Sequence, residues 1–425
     1  MTGPLGGFKM PSTYNRDKVE EIKSLLDIVD VIGRDIDLHH IGGDEYAGTV
    51  GEAGSSGESL KVNQVQQTWY DFKNKQGGDV YDWIGNINGL DARGADFPKV
   101  LKIAADLAGV ELEEMTEQER DAAKEKADIH NIYTETAEIY HKNLTPELYD
   151  YIENKWGITR ETVDKLKIGY ATTGGDLTDL DITTLKKSGL VYVNNGIIGG
   201  EVFEGRIIFP YLKNGKVVYL IGRETGETPE AERKKRMKYK KLLVHKEGHE
   251  YVSPEVQNSY FYGEDSLRGA EYCIITEGVA DCIVMLQAGF PCISPVTVQF
   301  REKDHPKLIN LTKRLKRVYI CNDNETNKAG LKGALNTAEG LEGAGIEVRL
   351  IELPKPEGVD KIDIADYMKG HSPKDFKELM GSSVSLWTYK LNQQVIPASA
   401  TSLDRHRDFK TFISNELKGM EQAEW

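Results

Sequence analysis

The segment Val318-Tyr319-Ile320-Cys321 is a short apolar run that stops at Asn322-Asp323-Asn324-Glu325, two carboxylates one residue apart. Such a run reads as a buried strand, so its end aims two acids at one place. A lone D-x-E is most simply a polar turn. Here, however, two further segments repeat the arrangement. "YCIITE" ends in Glu277 and Gly278, with Asp281 one helical turn on, and "EVRLIELP" is followed by "GVDKIDIADYM", which supplies Asp363 and Asp366. Three strand ends thus deliver six carboxylates: Glu277, Asp281, Asp323, Glu325, Asp363 and Asp366. Gathered at one sheet edge, they would repel one another. A hard divalent cation, Mg2+ or Mn2+, removes that cost through oxygen ligands. It also steadies the attacking and leaving oxygens of a phosphoryl transfer.

The elements that must carry these acids are legible around them. From Glu271 onward, strands alternate with helices over Val279–Ala288, Lys303–Leu315 and Lys328–Gly343. That alternation predicts a parallel sheet with helices on its faces, and in such sheets functional groups collect beyond the carboxyl ends of the strands. Upstream, "GRIIFPYL" and "GKVVYLIGRE" read as a hairpin turning at Lys-Asn-Gly. Helices are expected at 128–142 and 146–156, with Thr159 capping a short helix after them. The N-terminal part reads as a helix, a turn and more helix from "DKVEEIKSLLDIVDVIG". A small Gly/Ser-rich antiparallel sheet over 36–72 follows, then a helix capped by Asp79 and another over 97–110. "ELEEMTEQERDAAKEKADIH" looks like a linker helix. The tail, 386–425, stops within a helical pattern, as at a cut in a longer parent chain.

Composition narrows the class. Hydrophobic residues make up 39% and charged residues 29% of 425 residues, as in globular proteins of several domains. No apolar run nears the roughly 20 residues of a membrane helix, and the start lacks an apolar signal core, so a cytoplasmic protein is expected. Cys273, Cys282, Cys292 and Cys321 sit in apolar contexts and read as core thiols. The net charge of −14 argues against a chain that coats nucleic acid throughout. Yet the segment 206–246 holds twelve Lys/Arg against four Glu. That run is either a solvated face or a phosphate-tracking surface with Tyr239 interleaved.

The ordered motifs resemble those of the DnaG-type primases. The acids match the Toprim pattern of E-G-x-x-D, a D-x-D-like pair and K-x-D-x-x-D-Y. "IITEGVADCIVMLQAGFP" is similar to the family's segment almost position by position. "WGITRETVDKLKIGYA", "GRIIFPYLKNGKVVYLIGR" and "NSYFYGEDSL" are similar, in order, to the basic subdomain of the primase core. "VEEIKSLLDIVDVIG" and "GGDVYDWIGNINGL…FPKVLKIAADLAGVEL" are similar to the N-terminal zinc ribbon. The resemblance covers about residues 17–370. It implies an α+β multidomain chain: a ribbon-like domain over 1–115, a linker helix and basic subdomain over 116–268, an α/β Rossmann-like Toprim subdomain over 269–385, and a helical segment over 386–425. It further implies Glu277 as the acid nearest the chemistry, with Asp323, also counted as catalytic. Asp323, Glu325 and Asp363 would be metal ligands alongside Glu277, with Asp281 and Asp366 in support. Arg206, Arg223, Lys238, Tyr239 and Lys241 would meet template and nucleotide phosphates.

The implied activity is primer synthesis from nucleoside triphosphates, ribo- or deoxyribonucleotides, on single-stranded DNA. The implied setting is the cytoplasm, at the nucleoid or replication fork, with a replicative helicase in trans or on a longer parent chain and no membrane, and a virus or mobile element is a candidate source. Two departures stand out. "NETNKAG" is longer than the family's acidic turn. In the ribbon, Val50, Ala53, Asp71 and Asn74 align with the Cys, His, Cys and Cys that bind zinc, a set unable to make a structural zinc site. No zinc is therefore expected, and Trp69, Tyr70, Phe72, Tyr81 and Trp83 are the expected core of that domain. A catalytically decayed nucleic-acid-binding or helicase-associated module and a Toprim nuclease remain open beside the primase.

Overall fold

A computed structural model describes residues 16–50, 58–112, 115–235, 238–296, 300–325 and 329–393, with positions 407, 410, 411 and 414 beyond them. In the N-terminal part, a five-stranded antiparallel sheet runs in chain order through His39–Gly42, Glu45–Gly48, Leu60–Asn63, Thr68–Asp71 and Gln76–Gly78. Helices Arg16–Leu25, Val80–Asn88 and Phe97–Ala108 cover one of its faces. Asp79 caps the second of these in a reciprocal box with Asp82. Trp69 and Trp83 meet edge to face at 5.0 Å at the centre of the core.

Tyr70 and Phe72 depart from the expectation. Both are exposed, at 43% and 57%, and they pack on each other. Trp69 and Asp71 point inward from the same strand, so period-2 alternation sends Tyr70 and Phe72 to the outer face. The aromatic run is half core and half surface.

The expected linker helix and the helix after it are one element, Glu117–Lys142, of 26 residues and about 39 Å. Thr116 opens it with a capping box to Glu119. Its apolar side, including Tyr133 and Tyr140, packs on a four-stranded antiparallel sheet ordered Tyr239–Lys241, Lys216–Glu224, Arg206–Lys213, Gly169–Ala171. The long hairpin turns at Asn214 and Gly215, both left-handed at φ 53° and 74°, as a two-residue type I′ turn needs.

The C-terminal sheet is ordered Cys292–Ile293, Tyr272–Thr276, Arg317–Cys321, Val348–Leu350, Val384–Ser385. The first four strands are parallel and the last runs antiparallel to its neighbour. Helices Val279–Gln287, His305–Thr312 and Ala329–Glu342 make the crossovers. All four cysteines are buried and free. One continuous apolar core runs from the basic sheet into this sheet, joining Phe209 and Leu220 to Ile274, Ile283 and Ile364. The two subdomains are thus held by shared packing, so the acids and the basic strands have a fixed relation.

The ribbon domain touches the opposite end of the parallel sheet from the acids. Lys316, which precedes its strand, pairs with Asp44 at 2.9 Å. Asn310 donates to Ser24 Oγ at 2.7 Å, and the Arg314 guanidinium donates to the Leu26 carbonyl. Among the described residues, no helix is long and apolar enough to cross a membrane.

Candidate active site

The strand Tyr272–Thr276 ends at Glu277, and Gly278 stands at the start of helix Val279–Gln287. A side chain at Gly278 would meet Asp281 Oδ2 at 2.5 Å, so the glycine makes room for that carboxylate. Asp281 is 6% exposed and accepts the Ala365 N–H at 3.0 Å, which ties the first acidic segment to the third. The Ser294 hydroxyl donates to the Glu277 carbonyl at 2.9 Å and accepts the Val296 N–H at 3.0 Å. Val296 holds a left-handed φ of 53°, a conformation a β-branched residue adopts only at a cost.

The second and third acidic segments are zipped together. Asn324–Glu325 pairs antiparallel with Lys361–Ile362, with Glu325 directly opposite Lys361. Asn324 Nδ2 donates to the Leu353 carbonyl at 2.8 Å. Lys361 Nζ pairs with Glu325 at 2.7 Å and also with Asp323. Asp363 caps helix Ile364–Met368 by accepting the Asp366 N–H at 2.8 Å. Asp366 itself is exposed and pairs with Lys369 at 3.2 Å.

Burial and mutual charge shift these acids in one direction. Burial pushes Glu277 up to about 7; the Asp323 charge adds to the shift, and Lys361 opposes it. Burial likewise raises Asp281, helped by Asp363 and Asp323. Asp363 is raised by burial and by the Asp366 and Asp323 charges, and Asp323 is raised by burial despite its bond to Lys361. Burial alone would lower the Lys361 ammonium, but its two carboxylate partners hold it above the ordinary lysine range. In each of these four acids burial and like charge favour the neutral form relative to a free carboxyl group.

The donors are hard oxygens, the chemistry that Mg2+ or Mn2+ takes. Among the described residues, no three His, Cys, Asp or Glu side chains are gathered closely enough to hold a metal ion. Asp323 and Glu325 do converge on one cation, the Lys361 ammonium. Sequence reasoning did not single out Lys361, although it stands two residues before Asp363 in the quoted motif. Ser294 and Asn324 carried no signal in the sequence.

The basic residues divide between two faces. Arg223 pairs in register with Ile207 and Tyr239, whereas Arg206 pairs with Glu224. Strand alternation therefore puts Arg223, Tyr239 and Lys241 on one face and Arg206 on the other. Tyr239 faces the acids. Burial raises its hydroxyl, Arg223 lowers it, and the Asp281 and Asp363 charges raise it again. The Arg223 guanidinium lies 4.8 Å from the Tyr239 ring. Lys238 and Lys241 are exposed. Arg206 is wholly buried, and its three guanidinium nitrogens have no hydrogen-bond partner among the described residues. Lys240, on the same face two strands away, is occupied by Glu232. The expected single phosphate surface is thus split by the pleat of the sheet.

In the ribbon, Asp71 is 1% exposed. Its Oδ2 accepts Asn74 Nδ2 at 2.6 Å, and its Oδ1 accepts the Lys73 N–H at 2.9 Å. Two of the four residues aligned with zinc ligands thus bind each other. Val50 packs on the domain core, and Ala53 lies outside the described residues.

Comparison with known proteins agrees with this layout. The CHC2 zinc finger family matches residues 14–120, and the Toprim domain family matches residues 272–374. The DNA primase of Rickettsia felis is 27% identical, over 93% of this chain and 64% of its own length. That of Halalkalibacterium halodurans is 25% identical, over 88% of this chain and 61% of its own. The chain therefore spans a little over three fifths of the length of these relatives. The zinc-binding and RNA polymerase domains of the Aquifex aeolicus primase share the fold with a TM-score of 0.51 and 20% identity, covering 93% of this chain and 92% of that one. The RNA polymerase domain of Mycobacterium tuberculosis primase DnaG, solved with a double-stranded DNA oligomer bearing a 6-nucleotide overhang, has a TM-score of 0.56 and 15% identity, covering 70% and 93%. With a CHC2 zinc finger match and a Toprim match in one order, and with DNA primases similar to it over most of its length, the chain is similar to the DnaG-type primases.

Proposed function

We propose that this chain is a template-directed primase that joins nucleotides into primers on single-stranded DNA by metal-assisted nucleotidyl transfer. The observation that carries the reading is the shared core holding the acid crevice against the strand of Tyr239 and Arg223. Both a nuclease and a primase use Toprim acids, and both bind phosphates, but a nuclease has no need of the primase-type basic subdomain packed beside them. In the reaction, a 3′-hydroxyl attacks the α-phosphorus of the incoming nucleotide. A P–O bond to the primer forms, the bond to pyrophosphate breaks, and the hydroxyl proton leaves. Glu277 orients that hydroxyl and takes its proton. Asp323, Glu325 and Asp363 are the residues that would hold Mg2+ or Mn2+, with Asp281 and Asp366 supporting them. The metal supplies charge neutralisation at the phosphates when bound. Arg223, Tyr239, Lys238 and Lys241 guide template and triphosphate, and Arg206 supports them from behind the sheet.

The same reading divides the chain at 115, 268 and 385. It sets the protein at a cytoplasmic replication fork, with a helicase in trans or on a longer parent chain. The test is primer synthesis from labelled nucleotides on random-sequence single strands. Absence of product with intact single-strand binding would favour a decayed binding module, and strand cleavage would favour a nuclease.

Two further outcomes follow. Single-strand binding should weaken steeply with salt, because each neutralised phosphate releases counterion. Lys238→Ala should lower the salt slope by about one if it makes one phosphate contact. An unchanged slope would return Lys238 to a solvated surface. The ribbon domain should fold without zinc, held by the Asp71–Asn74 bond and the Trp69–Trp83 core. Elemental analysis after chelation checks this, and retained stoichiometric zinc would overturn it.

A further inference from the structure

The ladder that joins Asn324–Glu325 to Lys361–Ile362 puts Glu325 directly opposite Lys361. Asp323 and Asp363 flank this ladder at the ends of its two strands, so three carboxylates and one ammonium stand at one short ladder. That ammonium pairs with both acids of the D-x-E. The partners differ in access: the Lys361 side chain is 44% exposed, whereas those of Asp323 and Glu325 are 11% and 21% exposed. A lysine on a flexible stem can withdraw toward water, but the acids at the buried end cannot follow.

We propose that Lys361 is the resident counter-ion of the acid crevice, holding Asp323 and Glu325 together in the metal-free protein and yielding them when a divalent cation binds. The inference rests on the reading of this crevice as a divalent-metal site. A monovalent ammonium between two hard carboxylates keeps them together against their own repulsion. It also competes with the ion that would take its place. A divalent ion brings twice the charge to the same oxygens, so it wins the exchange, yet each binding event must first break the Lys361 pairs. Lys361 is therefore a positioning residue whose removal has a defined sign. If it competes, its loss tightens metal binding, because the acids are left without their cation. If it only staples the ladder, its loss loosens the acids and weakens metal binding.

The experiment titrates Mn2+ into the full chain, reading free Mn2+ by electron paramagnetic resonance and the melting temperature with and without metal. Lys361→Gln is expected to bind Mn2+ about fivefold or more tightly, the scale set by losing two partly exposed ion pairs. It should also show a larger metal-induced rise in melting temperature than the parent. Lys361→Arg keeps the charge and should bind Mn2+ no more tightly than the parent. It supplies the comparison if the Gln variant folds poorly without metal. Equal or weaker Mn2+ binding by Lys361→Gln, or tighter binding by Lys361→Arg, would overturn the counter-ion role. A parent chain that synthesises primers but binds no Mn2+ in this titration would instead overturn the metal reading beneath it.

Discussion

Glu277→Gln is expected to lower primer synthesis by about 10²–10⁴-fold, the usual worth of a positioned proton acceptor, while single-strand affinity stays near that of the parent. The substitution keeps size and hydrogen-bonding capacity, so the Ser294 bond to the residue 277 carbonyl survives. The basic strands that would bind DNA stand on another sheet. Asp323→Asn is the companion. It removes one charge from the pair that Lys361 bridges, and should lower Mn2+ affinity by at least about tenfold, the least that even outer-shell partners of a metal cost when lost. Primer synthesis and single-strand affinity, measured for both variants beside the parent, decide the matter. Full synthesis by either variant would leave the shared-metal mechanism without support, and the binding-module reading would take over.

The metal-free protein is expected to lose stability as pH rises from about 5 to about 7.5, and divalent metal should abolish most of that loss. The sign follows from the acids. Glu277 sits at about 7 in the fold against 4.5 when free, so between those values the folded protein holds a proton that the unfolded chain has released. Stability from that proton is fully present below the unfolded value and is gone once pH passes the folded one. Asp281, Asp323 and Asp363 are raised in the same direction by burial. Melting curves in a chelator across this range test it. Glu277→Gln should flatten the slope and raise the metal-free melting temperature near neutral pH. A metal-free melting temperature that rises with pH would show that the crevice is not charge-strained.

How these features could be read differs with the physics that sets them. The acids at Glu277 and Asp323 were legible because a buried parallel strand is a short apolar run whose end is marked by the first polar residues, whereas Asp363 follows the short antiparallel strand Lys361–Ile362 and caps the next helix. The Asp79 cap and the Asn214–Gly215 turn were legible because local hydrogen bonds and φ preferences are written in adjacent residues. The long helix Glu117–Lys142 was split on composition. Its N-terminal half is charged because it covers little, yet no breaker interrupts it.

Register and packing carry what the amino-acid order could not. Arg206 and Arg223 look equivalent in a basic run, but pairing of Arg223 with Ile207 and Arg206 with Glu224 sends them to opposite faces. Tyr70 and Phe72 look like core aromatics until alternation exposes them beside a buried Trp69. Lys361 and Glu325 are far apart along the chain and meet only because a short antiparallel ladder closes between the second and third acidic segments. Local chemistry along the chain determined which strand ends bear acids and which turns reverse the chain. Tertiary structure alone decided which charges face each other, because strand register is set by the burial of a whole face and not by any single residue.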